Sequence, residues 1–367
     1  MALSHLNTIQ IDRYKTPNDV PYIRDLSTPG SRGAQGTVWR ATTTSFLDLF
    51  RTNNAEFAIK EIHVIDKASD DRVLREINHL KACNHSNLLD LVAVYRIEEE
   101  VWGDVIFLVT KPWAPLTLHT FLKDLARAAE DKDGLSGLHP WYTHLGTGPW
   151  EDIVRGCALG VEHLHLISIR HKDLKPENIL LFIENSKNDT KSRLRVRPII
   201  ADFGISKEWV QGAKTTFNGT RQYLAPEQLQ QLESTPKSDI FSLGCCYAMI
   251  QAVISGGQRA VLELEETAFE FATRITEVLE VLQSHSRMNA SAKMDDGWHF
   301  RLMLALLVQD MLKVYPNERL DIRGVMDRIT AYDNNSHGRR SQFILSRTYG
   351  ADDATSSLGI LEADLGF

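Results

Sequence analysis

Cysteine is scarce in this chain, and the four present, Cys83, Cys157, Cys245 and Cys246, show no paired spacing. The pattern speaks against a disulfide framework and a multi-cysteine zinc site, and predicts buried thiols in a reducing, intracellular setting. An excess of one charge is missing as well: 41 Lys and Arg stand against 48 Asp and Glu, a net charge of −7. So weak a field gives no reason to expect nucleic acid or an anionic membrane as partner. Between Met1 and Tyr14 no basic segment is followed by an apolar one, so nothing there reads as a secretory signal. The expected location is cytoplasmic, nuclear or both. No uninterrupted apolar run reaches membrane-spanning length. The nearest approach, Ile240 to Gln258, is broken by Ser242, Gly244, Gln251 and Ser255 and preceded by Asp239. A helix buried on all sides is expected there, not a membrane span.

What is present is enough apolar sequence, 43% of 367 residues, to build substantial cores. From Tyr22 to Lys60 the chain is Gly-rich and β-branched, which predicts short strands around turns. Val73, Ile77 and Leu80 recur at helical spacing, predicting an amphipathic helix over Asp70 to Ala82 with Ser69 as its cap. Leu91 to Ile97 and Val105 to Val109 read as strands. Beyond them the pattern turns helical, with one face at Ile153, Val154, Cys157, Ala158, Val161 and Leu164 and another over Leu302 to Leu312. Insertions are expected at 42–54, 131–150 and 184–197. The last carries the basic run Lys187, Lys191, Arg193, Arg195 and Arg197, which reads as a solvated hairpin. Phe46, Leu47, Leu49 and Phe50 are apolar residues of the first insertion.

Three segments carry chemistry in fixed order: His171-Lys172-Asp173-Leu174-Lys175-Pro176-Glu177-Asn178, then Ala201-Asp202-Phe203-Gly204, then Ala225-Pro226-Glu227. Together they resemble the catalytic loop, the metal-binding motif and the Ala-Pro-Glu motif of eukaryotic protein kinases. The resemblance implies an α+β, bilobal protein-kinase-like fold, with a small β-rich N-lobe and a larger helical C-lobe. The implied division is an N-terminal extension at 1–26, N-lobe at 27–112, C-lobe at 113–332 and tail at 333–367. It also implies ATP and Mg²⁺ as cofactors and a protein substrate, and leaves the oligomeric state open. Phosphoryl transfer needs charge neutralisation and in-line placement of a hydroxyl, for which carboxylates, an amide and lysines suffice. By the resemblance, Asp173 orients the hydroxyl and accepts its proton, Lys175 neutralises the moving phosphate, and Asn178 and Asp202 hold Mg²⁺.

Further residues extend the match. Ser31, Gly33, Gly36 and Val38 resemble the Gly-rich loop over the phosphates. Ala58-Ile59-Lys60 resembles the motif whose lysine holds the α- and β-phosphates, with Glu76 as its ion-pair partner. Thr110 resembles the residue at the back of the adenine pocket, and Lys111, Pro112 and Trp113 the hinge. Pro112 has no N–H, so the expected main-chain donor to adenine is a neighbour such as Trp113. Thr220, before Ala225-Pro226-Glu227, is expected to tie Asp173 to Lys175, and with the Lys-Pro-Glu-Asn form it resembles the serine/threonine class. Asp239 resembles the aspartate that anchors the catalytic-loop backbone, and Arg319 the arginine that pairs with Glu227. His139, His144, His163 and His165 lack metal-ligand spacing, and His171 is expected to support the loop. The segment from Gly219 to Glu227 resembles that of kinases of filamentous fungi.

Two positions depart from the pattern. Ser31 replaces the first glycine of the loop, which restricts its dihedrals. Lys172 replaces the arginine that grips a phosphorylated activation loop, and a lysine lacks the bidentate fork. These departures leave a second reading, a pseudokinase that binds ATP or acts as a scaffold; a third is a small-molecule phosphotransferase of related fold. Arg339-Arg340-Ser341 is a further expected modification or docking site.

Overall fold

Period-two alternation builds the small lobe. A computed structural model describes residues 11–27, 30–33, 36–44, 56–98, 104–114, 116–128, 148–184, 195–208, 219–267, 270–289 and 297–334. Seven strands, β1 (Asp12–Tyr14), β2 (Tyr22–Arg24), β3 (Ser31–Gly33), β4 (Gly36–Thr43), β5 (Phe57–His63), β6 (Asp90–Ile97) and β7 (Val105–Lys111), form one sheet. Their order is β1-β6-β7-β5-β4-β2, with β3 paired to β4. Phe57 and Ile59 project from one face of β5 and meet Tyr95, Phe107 and Val109 in an apolar cluster. That face is closed by Val20 and Tyr22. The segment expected to be an extension therefore belongs to this sheet: β1 runs parallel to β6, and β2 pairs with β4. Strands of three residues hold too little alternation to be read from sequence.

The other face, with Ile62, Ile106 and Leu108, packs against Val73, Ile77 and Leu80 of α1 (Lys67–Ala82). This helix starts earlier than its apolar period suggests. Asp66, not Ser69, is the cap: its carboxylate accepts the Ser69 N–H at 2.7 Å, and Ser69 Oγ accepts the Asp66 N–H at 3.0 Å. The reciprocal pair satisfies two amide donors at the helix start.

The large lobe is helical. It contains α2 (Leu118–Ala128), α3 (Gly148–Leu166), α4 (Pro236–Thr267), α5 (Ile275–Asn289), α6 (Trp298–Met311) and α7 (322–334). Strands β8 (Leu116–Thr117), β10 (Ile179–Glu184) and β11 (Arg195–Ile200) form a small sheet, and β9 (Ile169–Arg170) pairs with β12 (Lys207–Glu208). The chain is thus an α+β, bilobal molecule. Trp150, placed at the end of an insertion by the sequence, lies in α3 with its ring 5.2 Å from that of Phe121. Asp333 is helical and pairs with Arg155, so the last described helix runs past the expected tail boundary.

Helix α4 is long and apolar enough by composition to cross a membrane, yet most of it is buried inside the protein. Phe241, Leu243, Cys245, Cys246 and Tyr247 are all fully buried, as expected of a helix enclosed on every side. It bends at Gly257, whose φ of 57° breaks the helical run. All four cysteines are buried free thiols, as their spacing predicted. Arg195 and Arg197 lie in β11, antiparallel to β10, which supports the hairpin reading. Thr215, Thr216, the apolar residues from Phe46 to Phe50, Lys187, Lys191, Arg193 and Arg339 to Ser341 lie outside the described residues.

Arg319 fastens the base of this lobe. Its Nη1 and Nη2 donate to the two oxygens of Glu227 at 2.9 and 3.1 Å, and further bonds reach the carbonyls of Lys237, Lys313 and Val314. Both partners are buried, so removing one leaves a charge without water or counter-ion. Arg319→Met should lower the unfolding free energy by about 3–5 kcal/mol in urea titration, and adding Glu227→Leu should restore much of the loss. A loss below about 1 kcal/mol would show that the pair carries little of the lobe's stability.

Candidate active site

Strand register places the upper half of the site. Val38 lies opposite Lys60, Lys60 opposite Leu108, and Ala58 opposite Thr110. Opposed residues share a face, as do residues two apart, so Val38, Ala58, Lys60 and Thr110 all face the same side of the sheet. Ser31 and Gly33 pair with Val38 and Gly36 in a tight hairpin above them. Ser31 stands in an extended strand, a conformation serine adopts without strain, so the missing first glycine costs the backbone nothing here. Gly36 is constrained by its own sheet as well: its φ is +144°, and a Cβ there would lie 2.0 Å from the Glu61 carbonyl oxygen.

Lys60 Nζ lies 2.7 Å from Glu76 Oε1 on α1 and 3.6 Å from Asp202 Oδ1. Burial pushes the ammonium pKa down, but the two carboxylates outweigh it and hold Lys60 above the usual lysine value. The lysine is therefore charged at any neutral pH. Glu61, the adjacent carboxylate, pairs instead with Arg24 at 3.0 Å.

The lower half hangs on a buried carboxylate. Asp239, at the start of α4, accepts the N–H groups of His171 and Lys172 at 2.9 Å each, and His165 Nε2 lies 3.0 Å away. Burial raises its pKa, while the bond to His165 and that imidazole's charge, and after them the Lys172 amide, outweigh burial and depress it. His165 thus backs Asp239, a role its sequence spacing did not reveal. His171 donates Nε2–H to the Ala201 carbonyl at 2.9 Å and accepts the Asp173 N–H on Nδ1 at 3.3 Å, which fixes its tautomer. The loop support expected of it is met.

Asp173 is held on both oxygens. Oδ1 accepts Thr220 N–H at 2.7 Å and Thr220 Oγ1–H at 2.8 Å; Oδ2 accepts Lys175 Nζ at 2.9 Å and Asn178 Nδ2 at 3.2 Å. Lys175 Nζ also reaches Thr220 Oγ1 at 2.7 Å, completing the expected tie. Burial works to raise the Asp173 pKa, and the Lys175 and Thr220 contacts more than reverse it, leaving it depressed. Gly219 makes the approach possible: at φ +119°, a Cβ would lie 2.7 Å from the Lys172 carbonyl.

Asn178 immediately precedes β10 and Asp202 follows β11 by one residue, and the two strands pair Ile179 with Ile200. The Ala201 N–H donates to the Asn178 carbonyl at 2.9 Å, which brings the amide and the carboxylate to one end of the hairpin. Asn178 spends Nδ2 on the Asp173 carbonyl and carboxylate, leaving Oδ1 as its acceptor. An amide oxygen and a partly exposed carboxylate are the hard oxygen ligands that Mg²⁺ takes. The flanking ammonium groups of Lys60 and Lys175 match a polyphosphate.

One expectation fails at the hinge. The Trp113 N–H donates to the Glu56 carbonyl at 2.9 Å, extending the β5–β7 ladder, so it is not the free donor expected for adenine. Backbone commitments of this kind leave no trace in residue type. Lys111 turns its side chain to Asp90 at 3.3 Å.

A protein kinase domain model matches residues 32–329. The serine/threonine-protein kinase nekl-2 of Caenorhabditis elegans is 26% identical over 79% of this chain and 69% of its own length. The cyclin-dependent kinase 4 homolog of the same animal is 30% identical over 60% of this chain and 47% of its own. A putative mitogen-activated protein kinase kinase kinase 7-like protein of Drosophila melanogaster is 28% identical over 58% and 44%. The chain spans about two-thirds of the first relative and less than half of the other two. With fold, ordered motifs and family match in agreement, this chain belongs to the eukaryotic protein kinase superfamily.

The anchor Asp239 can be tested through acid unfolding. Its depressed pKa contributes stability that is fully present above the unfolded value of 3.8 and is lost as pH falls through the lower folded value. Asp239→Asn, which sets an amide NH₂ against a loop N–H, should cost about 3 kcal/mol at pH 7. The gap to wild type should close below about pH 4 in denaturation series. A gap constant down to pH 2 would refute the assignment.

Proposed function

We propose that this chain is an active protein serine/threonine kinase that transfers the γ-phosphoryl group of ATP, with Mg²⁺, to hydroxyls of protein substrates. The observation that carries the reading is the convergence of Lys60, Glu76 and Asp202 with the Asp173–Lys175–Thr220–Asn178 network. The metal, when bound, would offset the negative charge of the phosphate groups. Lys60, kept in place by Glu76, would hold the α- and β-phosphates, and Asn178 Oδ1 and Asp202 would hold the cation. Asp173 is too weak a base to strip a hydroxyl beforehand. Its carboxylate instead holds the hydroxyl in line and takes the proton as the bond to phosphorus forms. Lys175 neutralises charge on the moving group. Thr220 and the Lys-Pro-Glu-Asn form support serine and threonine as acceptors, and all three relatives above carry kinase names.

A pseudokinase is the second reading, favoured by one observation: the Trp113 amide is engaged by Glu56. Labelled ATP and Mg²⁺, offered to wild type and Asp173→Asn with a generic protein acceptor, decide between them. Wild type should incorporate phosphate and Asp173→Asn should be slower by about 10²- to 10⁴-fold. Folded wild type that binds ATP without incorporation would establish the pseudokinase.

Lys172 bears on regulation. It is buried, and burial first, then Arg170 and Lys207, depress its pKa. A lysine so placed makes a poorer phosphate grip than an arginine fork. Basal activity should therefore not require phosphorylation of Thr215 or Thr216, and the Thr215→Ala/Thr216→Ala double variant should keep full activity; its abolition would reject this.

A further inference from the structure

Helix α1 touches the segment after Asp202 directly, one turn beyond Glu76. His79 stands three residues after Glu76, so both side chains leave the helix on one side. Its Nδ1 lies 2.6 Å from Ser206 Oγ, and both residues are buried. The serine hydroxyl has a single proton, and it donates this to the Phe203 carbonyl at 2.6 Å. Toward His79, Ser206 Oγ is therefore the acceptor, and the imidazole carries its proton on Nδ1. Burial, and after it Arg75, push the His79 pKa down to about 4, so the ring is neutral and its tautomer constant in any assay near neutral pH.

The apolar contacts of α1, through Val73, Ile77 and Leu80, hold it to the core but set no unique direction. The Lys60–Glu76 pair is also tolerant, because a lysine reaches its partner from a flexible stem. A short, buried, neutral bond between a ring and a hydroxyl is directional. Ser206 is in turn fixed: its N–H donates to the Phe203 carbonyl at 3.1 Å, and β12 follows at once, paired with β9 beside the catalytic loop. We propose that His79 is a positioning residue for phosphoryl transfer: its bond to Ser206 sets the placement of α1 against the Asp202 segment and so keeps Glu76 on Lys60. This rests on the kinase reading given above.

The test uses His79→Leu, Ser206→Ala, their combination, and His79→Asn, whose amide nitrogen stands where the imidazole Nδ1 does. Hydrogen–deuterium exchange over Lys67–Ala82 is measured beside kcat and the KM for ATP. Each of the first two variants should speed exchange in that helix and lower kcat by about five- to tenfold, the effect of one buried hydrogen bond on a two-state placement. The combination should be no worse than either alone, and His79→Asn should recover most of the loss. Unchanged exchange in α1, or effects that simply add, would overturn the proposal. If wild type transfers no phosphate, the kinase reading falls, while the exchange measurements still decide whether the contact positions the helix.

Discussion

A buried carboxylate organises the site. Asp239 is buried at the start of α4, and its two oxygens are taken by the consecutive backbone amides of His171 and Lys172. Holding two successive N–H groups on one anion fixes the path of the chain between them, and Lys172 adopts a φ of 71° there. Left-handed geometry costs a non-glycine residue about 1–2 kcal/mol. The charged hydrogen bonds offset it. With the path fixed, Asp173 emerges toward Thr220, Lys175 and Asn178, and His171 turns inward to the Ala201 carbonyl. The rigid body behind this is α4, which is enclosed by the large lobe.

The two lobes solve different problems. The small one is a sheet with two apolar faces, so it needs cover on both: α1 supplies one side, and the segment with Val20 and Tyr22 the other. The large one surrounds an apolar helix and ties its base with the Arg319–Glu227 fork. Between them, Lys60 reaches from the sheet to both α1 and Asp202. Its contacts make the geometry of the cleft depend on the placement of one helix.

Much of this was legible in the sequence, and the reason differs by residue. Asp173, Lys175, Asn178 and Asp202 could be singled out because they stand in the order of the protein-kinase motifs they resemble, and the structure brings the first three into one hydrogen-bonded network. Alternation at Phe57 to Lys60 gave the face on which Lys60 sits, and the helical period at Val73, Ile77 and Leu80 gave α1. What stayed hidden depended on partners distant in the chain or on backbone groups. The strands at Asp12–Tyr14 and Tyr22–Arg24 are too short for a period to show. The Trp113 amide is occupied by a carbonyl 57 residues earlier, and His165 and His79 find their partners 74 and 127 residues later. Ser69 has the composition of a cap, but the role falls to Asp66 because the helix begins one turn sooner.

The thiols have a consequence of their own. Cys83 belongs to the cluster beneath α1, while Cys157, Cys245 and Cys246 line the interior of the large lobe. Burial pushes the Cys83 thiol up to about 12 and raises the other three as well, so none offers a reactive thiolate to a passing electrophile. Chemistry at any of them must wait for its surroundings to open. The protein thereby carries four native clocks, one under α1 and three in the large lobe, whose alkylation rates time the breathing of each lobe separately.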